Sequence, residues 1–201
     1  NIDVGKSLAY HGFKKIIFLN GHGSNSPNLE LAARRVNLET DAECIHCNWW
    51  SLLTIDPDFM KNWRESKFPG GCAHACELET SVYLYFDEDN VRKDKIADGD
   101  IAFHQYKSDF RWVDLFGAGP GTPISWTASY SDSGTLGQAS LATREKGETV
   151  VKEVSSQLAR MVNEFRLLPK PPRGDHHKTP PSMPMPWKTD GRPDANGNVH
   201  E

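Results

Sequence analysis

Hydrophobic and polar positions in the first fifty residues follow two different periods. Val4, Leu8 and Tyr10 keep near-helical spacing and Gly12 supplies a stop, so residues 1–10 read as a helix. Residues 14–19 form a short continuous apolar run, the pattern of a buried parallel strand. Residues 20–26 are polar and predict a loop. Pro27 suits the first turn of a helix with Ser26 as its cap, and Leu29, Ala32, Ala33 and Val36 then mark one helical face. Residues 43–49 read as the next strand. The opening is therefore β-α-β, which implies a parallel pair joined by a right-handed crossover.

Beyond this unit the pattern loosens. Residues 50–64 are mixed and interrupted by Pro57. A glycine-rich loop at 68–73 precedes a helix expected over about 75–86, where Leu78, Val82, Tyr83 and Phe86 keep helical spacing. Residues 87–100 are charged, 101–112 alternate weakly as an extended segment would, and 117–123 and 134–137 are turn-rich. The strongest helical signal lies at 144–168. There Val150, Val151, Val154, Leu158, Met161, Val162 and Phe165 form one stripe, which predicts core packing. From Pro169 the character changes, and the last 33 residues hold 8 of the 13 prolines. Residues 1–168 thus read as one α/β domain and 169–201 as an extended or disordered tail.

Composition narrows the class. The chain has 201 residues, 37% hydrophobic and 25% charged, enough for a sizeable core. A net charge of −4 leaves no basic footprint for nucleic acid or an anionic membrane. No apolar run approaches the ~18 residues of a membrane span, and a cytoplasmic protein is expected. Four cysteines are too few for a disulfide framework in a chain this long. Cys44-x2-Cys47 and Cys72-x3-Cys76 have spacings seen in zinc sites. Residues three apart on a strand point to opposite faces, however, so Cys44 and Cys47 read as free thiols. The first residue is Asn1 rather than methionine, and the chain opens in what reads as mid-helix. The expectation is an upstream piece that was removed or that travels as a separate chain.

Two stretches carry candidate chemistry. In Asn20-Gly21-His22-Gly23-Ser24-Asn25 a histidine sits between glycines at the end of an expected strand. Ligands bind at the carboxyl ends of strands in open α/β sheets, and neutral imidazole is a common metal ligand. The bland alternative is a loop histidine bonded to backbone. In Cys72-Ala73-His74-Ala75-Cys76-Glu77-Leu78-Glu79-Thr80-Ser81, Glu77 and Glu79 lie roughly 200° apart on a helix, so one points inward. Glu79 is the expected inward one, and a buried carboxylate needs a cation. The alternative is two solvated glutamates.

The first stretch resembles the NGHGGN-type loop of the creatininase (creatinine amidohydrolase) family, and the second its HAGExETS segment. Gly134-x-x-Gly137 and Ala142-Thr143-x-Glu145-x-Gly147 are similar to its last loop and helix, so the resemblance covers about residues 1–165. It implies a three-layer α/β fold around a mostly parallel sheet. It also implies an oligomer and a two-ion centre of zinc, manganese or iron whose activated water cleaves C–N bonds, usually in cyclic amides. On the matching positions His22 would bind metal, Glu79 would be a metal-centre ligand or base, and His74 would bind substrate or carry a proton. Ser24, Asn25 and Gly71 would meet substrate. The family's other ligands precede residue 1, so the resemblance implies that an N-terminal fragment or partner chain supplies them. Members that act on creatinine carry a tyrosine and a metal-binding glutamate where this chain has Gly23 and Ser24, and a tryptophan near Gly70. Cys76 replaces the usual glycine. These departures keep open a non-catalytic subunit of the same fold, and a thiol module at Cys44 and Cys47 is the third reading.

Overall fold

The computed structural model describes residues 1–99, 108–122, 126 and 129–171. They divide into two units, Asn1–Asn48 with the residues from Val162 onward, and Trp49–Met161.

In the first unit, α1 (Ile2–Tyr10) ends as its sequence predicts. Gly12 takes φ +94°, its N–H reaches Ala9 O at 3.0 Å, and Phe13 N–H reaches Leu8 O at 3.1 Å. These bonds satisfy carbonyls that the helix leaves over. β1 (Lys15–Asn20) and β2 (Glu43–Asn48) pair in parallel from Lys15↔Glu43 to Asn20↔Asn48, with α2 (Ser26–Glu39) between them in the chain. All four residues of the expected α2 face are buried. Val36 and Ala33 pack with Ile16, Ala42 and Cys44, flanked by Leu8, Ala9 and Phe18. The Asn37 amide clamps Cys44 by accepting from its N–H and donating to its carbonyl, both at 2.7 Å.

Two local expectations change here and a third holds. β1 is buried only at Ile16 and Asn20 rather than throughout, and Leu19 is 48% exposed. Ser26 does not cap α2, because its hydroxyl donates to Asn48 Oδ1 at 2.8 Å instead. Cys44 and Cys47 do separate, one buried and the other half-buried, and both are free thiols.

The second unit begins with a 3-10 turn, Trp49–Thr54, and α3 (Pro57–Trp63). Pro57 opens this helix rather than interrupting a segment. Asp56 caps it by accepting from Asp58 N–H at 2.9 Å. β3 (Cys72–His74) leads into α4 (Glu77–Asp87). The short strands β4 (Val113–Asp114) and β5 (Gly117–Ala118) form an antiparallel pair, and β6 (Leu136–Gly137) pairs antiparallel with β3. Parallel pairing is thus confined to β1 and β2 among the described residues.

α5 spans Arg144–Leu167. Val150 joins Trp50, Leu53, Trp63, Cys72, Cys76 and Leu78 in the second unit's core. A Cβ on Gly147 would sit 1.9 Å from Ser81 O, so α5 approaches α4 at its backbone. In the first unit, Phe165 near the end of the same helix is buried and lies under the Lys15 ammonium. Of the seven residues in the predicted stripe only Val150 and Phe165 are buried, and Val162 is 45% exposed. The stripe is therefore fully buried at two points, and Val154 packs half-buried against the second unit's core. No described helix is long and apolar enough to cross a membrane. Most of the predicted extended segment at 101–112, and the tail beyond 171, lie outside the described residues.

Candidate functional site

The first stretch is built around Asn20. This residue is the last of β1 rather than a loop residue, and it is 2% exposed. Its amide oxygen accepts from His22 N–H at 3.1 Å. Its amide nitrogen donates to His22 O at 2.8 Å, Ser26 Oγ at 3.0 Å and Asn48 Oδ1 at 2.7 Å. A buried amide with no partners would be costly, so this network fixes the backbone of the histidine in place. His22 itself is exposed, in extended conformation, and its Nδ1 accepts from Ser24 N–H at 3.3 Å. A 3-10 turn over Gly23–Asn25 carries Ser24 and Asn25, both exposed.

The second stretch turns on Ala75, whose φ of +47° is a left-handed conformation that non-glycine residues rarely adopt. The turn brings Glu79 back to it. Ala75 N–H donates to Glu79 Oε2 at 2.5 Å, and the same oxygen lies 3.9 Å from His74 Nδ1. The His74 and Glu79 side chains are 43% and 28% exposed. This carboxylate sits in the first turn of α4, where the helix dipole favours negative charge. His74 and Glu79 are thus brought together on one half-exposed turn.

The inward carboxylate is Glu77, not Glu79. Glu77 is fully buried and Lys146 Nζ donates to its Oε1 at 2.5 Å. Glu65 N–H and Ser66 N–H donate to its two oxygens at 3.1 and 2.9 Å. Burial alone would raise this carboxyl, but the Lys146 ammonium and the backbone amides outweigh it and hold it below the usual range. The cation that a buried glutamate requires is supplied by α5. Periodicity alone says only that the two glutamates diverge, and the deciding lysine lies 69 residues further along.

Gly71 is buried beside β3, where its carbonyl accepts from Gln138 N–H at 2.8 Å. The neighbouring Gly70 N–H donates to Asp114 Oδ2 at 2.8 Å. Arg64 grips both oxygens of that aspartate at 2.9 and 2.7 Å. The pair stitches the glycine-rich loop to β4, and burial with contact between the partners is what such a bidentate bond needs. No sequence motif marks it, since its partners are 50 residues apart. Below the turn, the Cys72 and Cys76 sulfurs are 2.7 Å apart and fully buried. Contact with Cys76 and burial push the Cys72 thiol well above its ordinary range.

Imidazole and carboxylate are the donor types that zinc and manganese take. His22 could offer Nδ1 in exchange for the Ser24 N–H, and Glu79 commits only Oε2 in the bond to Ala75. The donors fit such an ion in kind. Among the described residues no three or more His, Cys, Asp or Glu converge on one metal position, so they do not complete a shell.

These features define an α/β protein that presents imidazole and carboxylate donors at a strand end and a helix start. Its sequence matches the creatininase family model, described as creatinine amidohydrolase, over residues 2–162, and the chain belongs to that family. The creatinine amidohydrolase of Pseudomonas putida is 28% identical over 170 residues, covering 81% of this chain and 60% of that protein. The mycofactocin precursor peptide peptidase of Mycolicibacterium smegmatis is 26% identical over 166 residues, 82% of this chain and 55% of that one. Among solved structures, a Bacteroides fragilis protein provisionally named creatinine amidohydrolase matches with a TM-score of 0.63 at 26% identity, over 83% of this chain and 60% of its own. A creatininase matches at 0.59 and 27%, over 82% and 61%. Solved creatininases include a zinc–zinc form and a manganese form. The α/β fold is thus that of the creatininases. The chain spans about 60% of the length of these relatives.

Proposed function

We propose that this chain forms part of a metal-dependent amidohydrolase that cleaves a C–N bond of an amide. The observation that carries the reading is the His74–Glu79 pair, an imidazole and a carboxylate 3.9 Å apart on an accessible turn in a creatininase-family chain. His22 and Glu79 would hold divalent ions, two per site, of zinc, manganese or iron. Ions bound there would activate water near neutral pH and polarise the scissile carbonyl. Glu79, besides its role as ligand, receives the proton of the attacking water. His74 returns a proton to the leaving nitrogen. Ser24 and Asn25 of the first unit, and Gly71 and His74 of the second, would meet substrate. The remaining ligands come from outside the described residues, on an N-terminal fragment or partner chain, within a homo- or hetero-oligomer in the cytoplasm.

The expected substrate is a small, cyclic, non-peptide amide. A peptide bond is the second reading, favoured by the similarity to the mycofactocin peptidase. Creatinine itself is disfavoured, because Ser24 and Gly70 stand where its hydrolases carry a glutamate and a tryptophan.

The test uses the protein with whatever polypeptide accompanies it in its native mass, supplied with zinc or manganese and assayed on cyclic and peptide amides. Glu79→Gln and His74→Ala should each lower kcat by about 10²-fold or more. Activity that survives both substitutions would favour a non-catalytic subunit, the reading motivated by Ser24 and Cys76.

A further inference from the structure

Cys72 and Cys76 are four residues apart, and the structure brings them together for a local reason. Cys72 opens β3, Cys76 is the residue before α4, and the left-handed Ala75 between them folds the chain back on itself. Their sulfurs lie 2.7 Å apart, well inside the ordinary non-bonded approach of two sulfur atoms. Both residues are 0% exposed, walled by Leu78, Val150 and Trp50 in one cluster. A Cβ built on Gly137 would lie 3.0 Å from Cys76 Cβ, so the backbone there also lies close against Cys76. Sulfurs so confined need move only a fraction of an ångström to reach the bonding distance of about 2.05 Å. Cys44 and Cys47 belong to the other unit, on β2.

We propose that Cys72 and Cys76 are an oxidation site that closes to an intrachain disulfide when the protein meets a peroxide, stapling β3 to the start of α4. The chemistry balances with hydrogen peroxide as the oxidant. One sulfur, as its thiolate, attacks a peroxide oxygen; the O–O bond breaks, a sulfenic acid forms and one water leaves after proton transfer. The second sulfur attacks that sulfenic sulfur, the S–S bond forms, the S–O bond breaks, and a second water departs. Two thiols lose two electrons and two hydrogens, and the peroxide oxygens end as two waters. Because both thiols are buried, the first step waits on local opening of the turn and is slow. The second needs only the neighbour already in contact. The disulfide therefore outcompetes further oxidation. Two buried thiols serving only as small apolar filler would form no such bond.

The staple would span Ala73, His74 and Ala75, the turn that presents the imidazole. Its existence does not rest on the hydrolase reading, because it is read by mass and not by activity. The experiment takes the full chain with Cys44→Ala and Cys47→Ala, treats it with hydrogen peroxide under native conditions, then denatures it in an alkylating reagent. The expected result is an intact mass lower by about 2 Da, with neither sulfur alkylated and both recovered after reduction. Proteolysis should then yield a reducible fragment in which Cys72 and Cys76 are joined. Adding Cys76→Ser should abolish the loss of mass. If the double variant does not fold, peptide mapping of the unaltered protein reads the same linkage directly. Alkylation of both sulfurs after peroxide, or a gain of oxygen atoms with no cross-link, would overturn the proposal.

Discussion

The loop from Asn20 to Asn25 and the turn from Cys72 to Glu79 hold an accessible donor by opposite means. In the loop the anchor is neutral: the buried Asn20 amide binds the backbone of His22 on both sides. In the turn the anchor is charged: Glu77 is buried against the Lys146 ammonium, while Glu79, two residues on, bends back to Ala75 and stands near His74. In each stretch the polar residue that is buried does the structural work. The residue two positions on is exposed or partly exposed. The two anchors should therefore fail differently.

The charged anchor should fail hardest. Lys146→Met leaves the Glu77 carboxylate buried with only backbone amides, which costs about 3–5 kcal/mol and should be read as a lowered denaturant midpoint. Its pH dependence should also change sign. In the unaltered protein the Glu77 pKa is depressed, so its contribution is present above the unfolded carboxyl value of about 4.3 and is lost as pH falls through the folded value. Without the ammonium, burial raises that pKa. The variant should then gain stability relative to the unaltered protein as acid protonates Glu77. A deficit that does not shrink in acid would show that Lys146 does not compensate Glu77.

The neutral anchor is worth less. Asn20→Leu removes the partners of His22 N–H and O and one of the two donors to Asn48 Oδ1, at a cost of about 2 kcal/mol. It should also lower metal content, because the histidine loses its fixed backbone. Gly147→Ala tests the approach of α5 to α4. The new methyl meets Ser81 O, and about 1–3 kcal/mol should be lost. Smallest of all, Ser24→Ala at an exposed position should move stability by less than about 0.5 kcal/mol. Any effect on KM would then report substrate contact rather than folding.

The local elements were legible because their signals are local. The four apolar positions of α2 are spaced for one face and are all buried, and Gly12 ends α1 as its position suggests. Family membership was legible in two short motifs, and the match over residues 2–162 bears it out. What the sequence hid was long-range pairing. Which of two diverging glutamates is buried depends on Lys146, and the hold on the glycine-rich loop depends on Arg64 reaching Asp114. Asn20 was misplaced because an amide at the end of an apolar run looks like a loop residue until its partner strand brings Asn48 beside it. The α5 stripe is borne out only in part. Helical periodicity shows that a face is apolar, not how much of it another element covers.

The central claim is that the accessible His22 and Glu79 hold metal while Asn20 and Glu77 hold structure. Elemental analysis of the unaltered protein, His22→Ala and Glu79→Gln, each isolated with its native partners, tests it most directly. The account predicts that each substitution empties at least one metal position, while the unfolding midpoints compared after metal removal stay close to that of the unaltered protein. Metal content unchanged in both variants would contradict it.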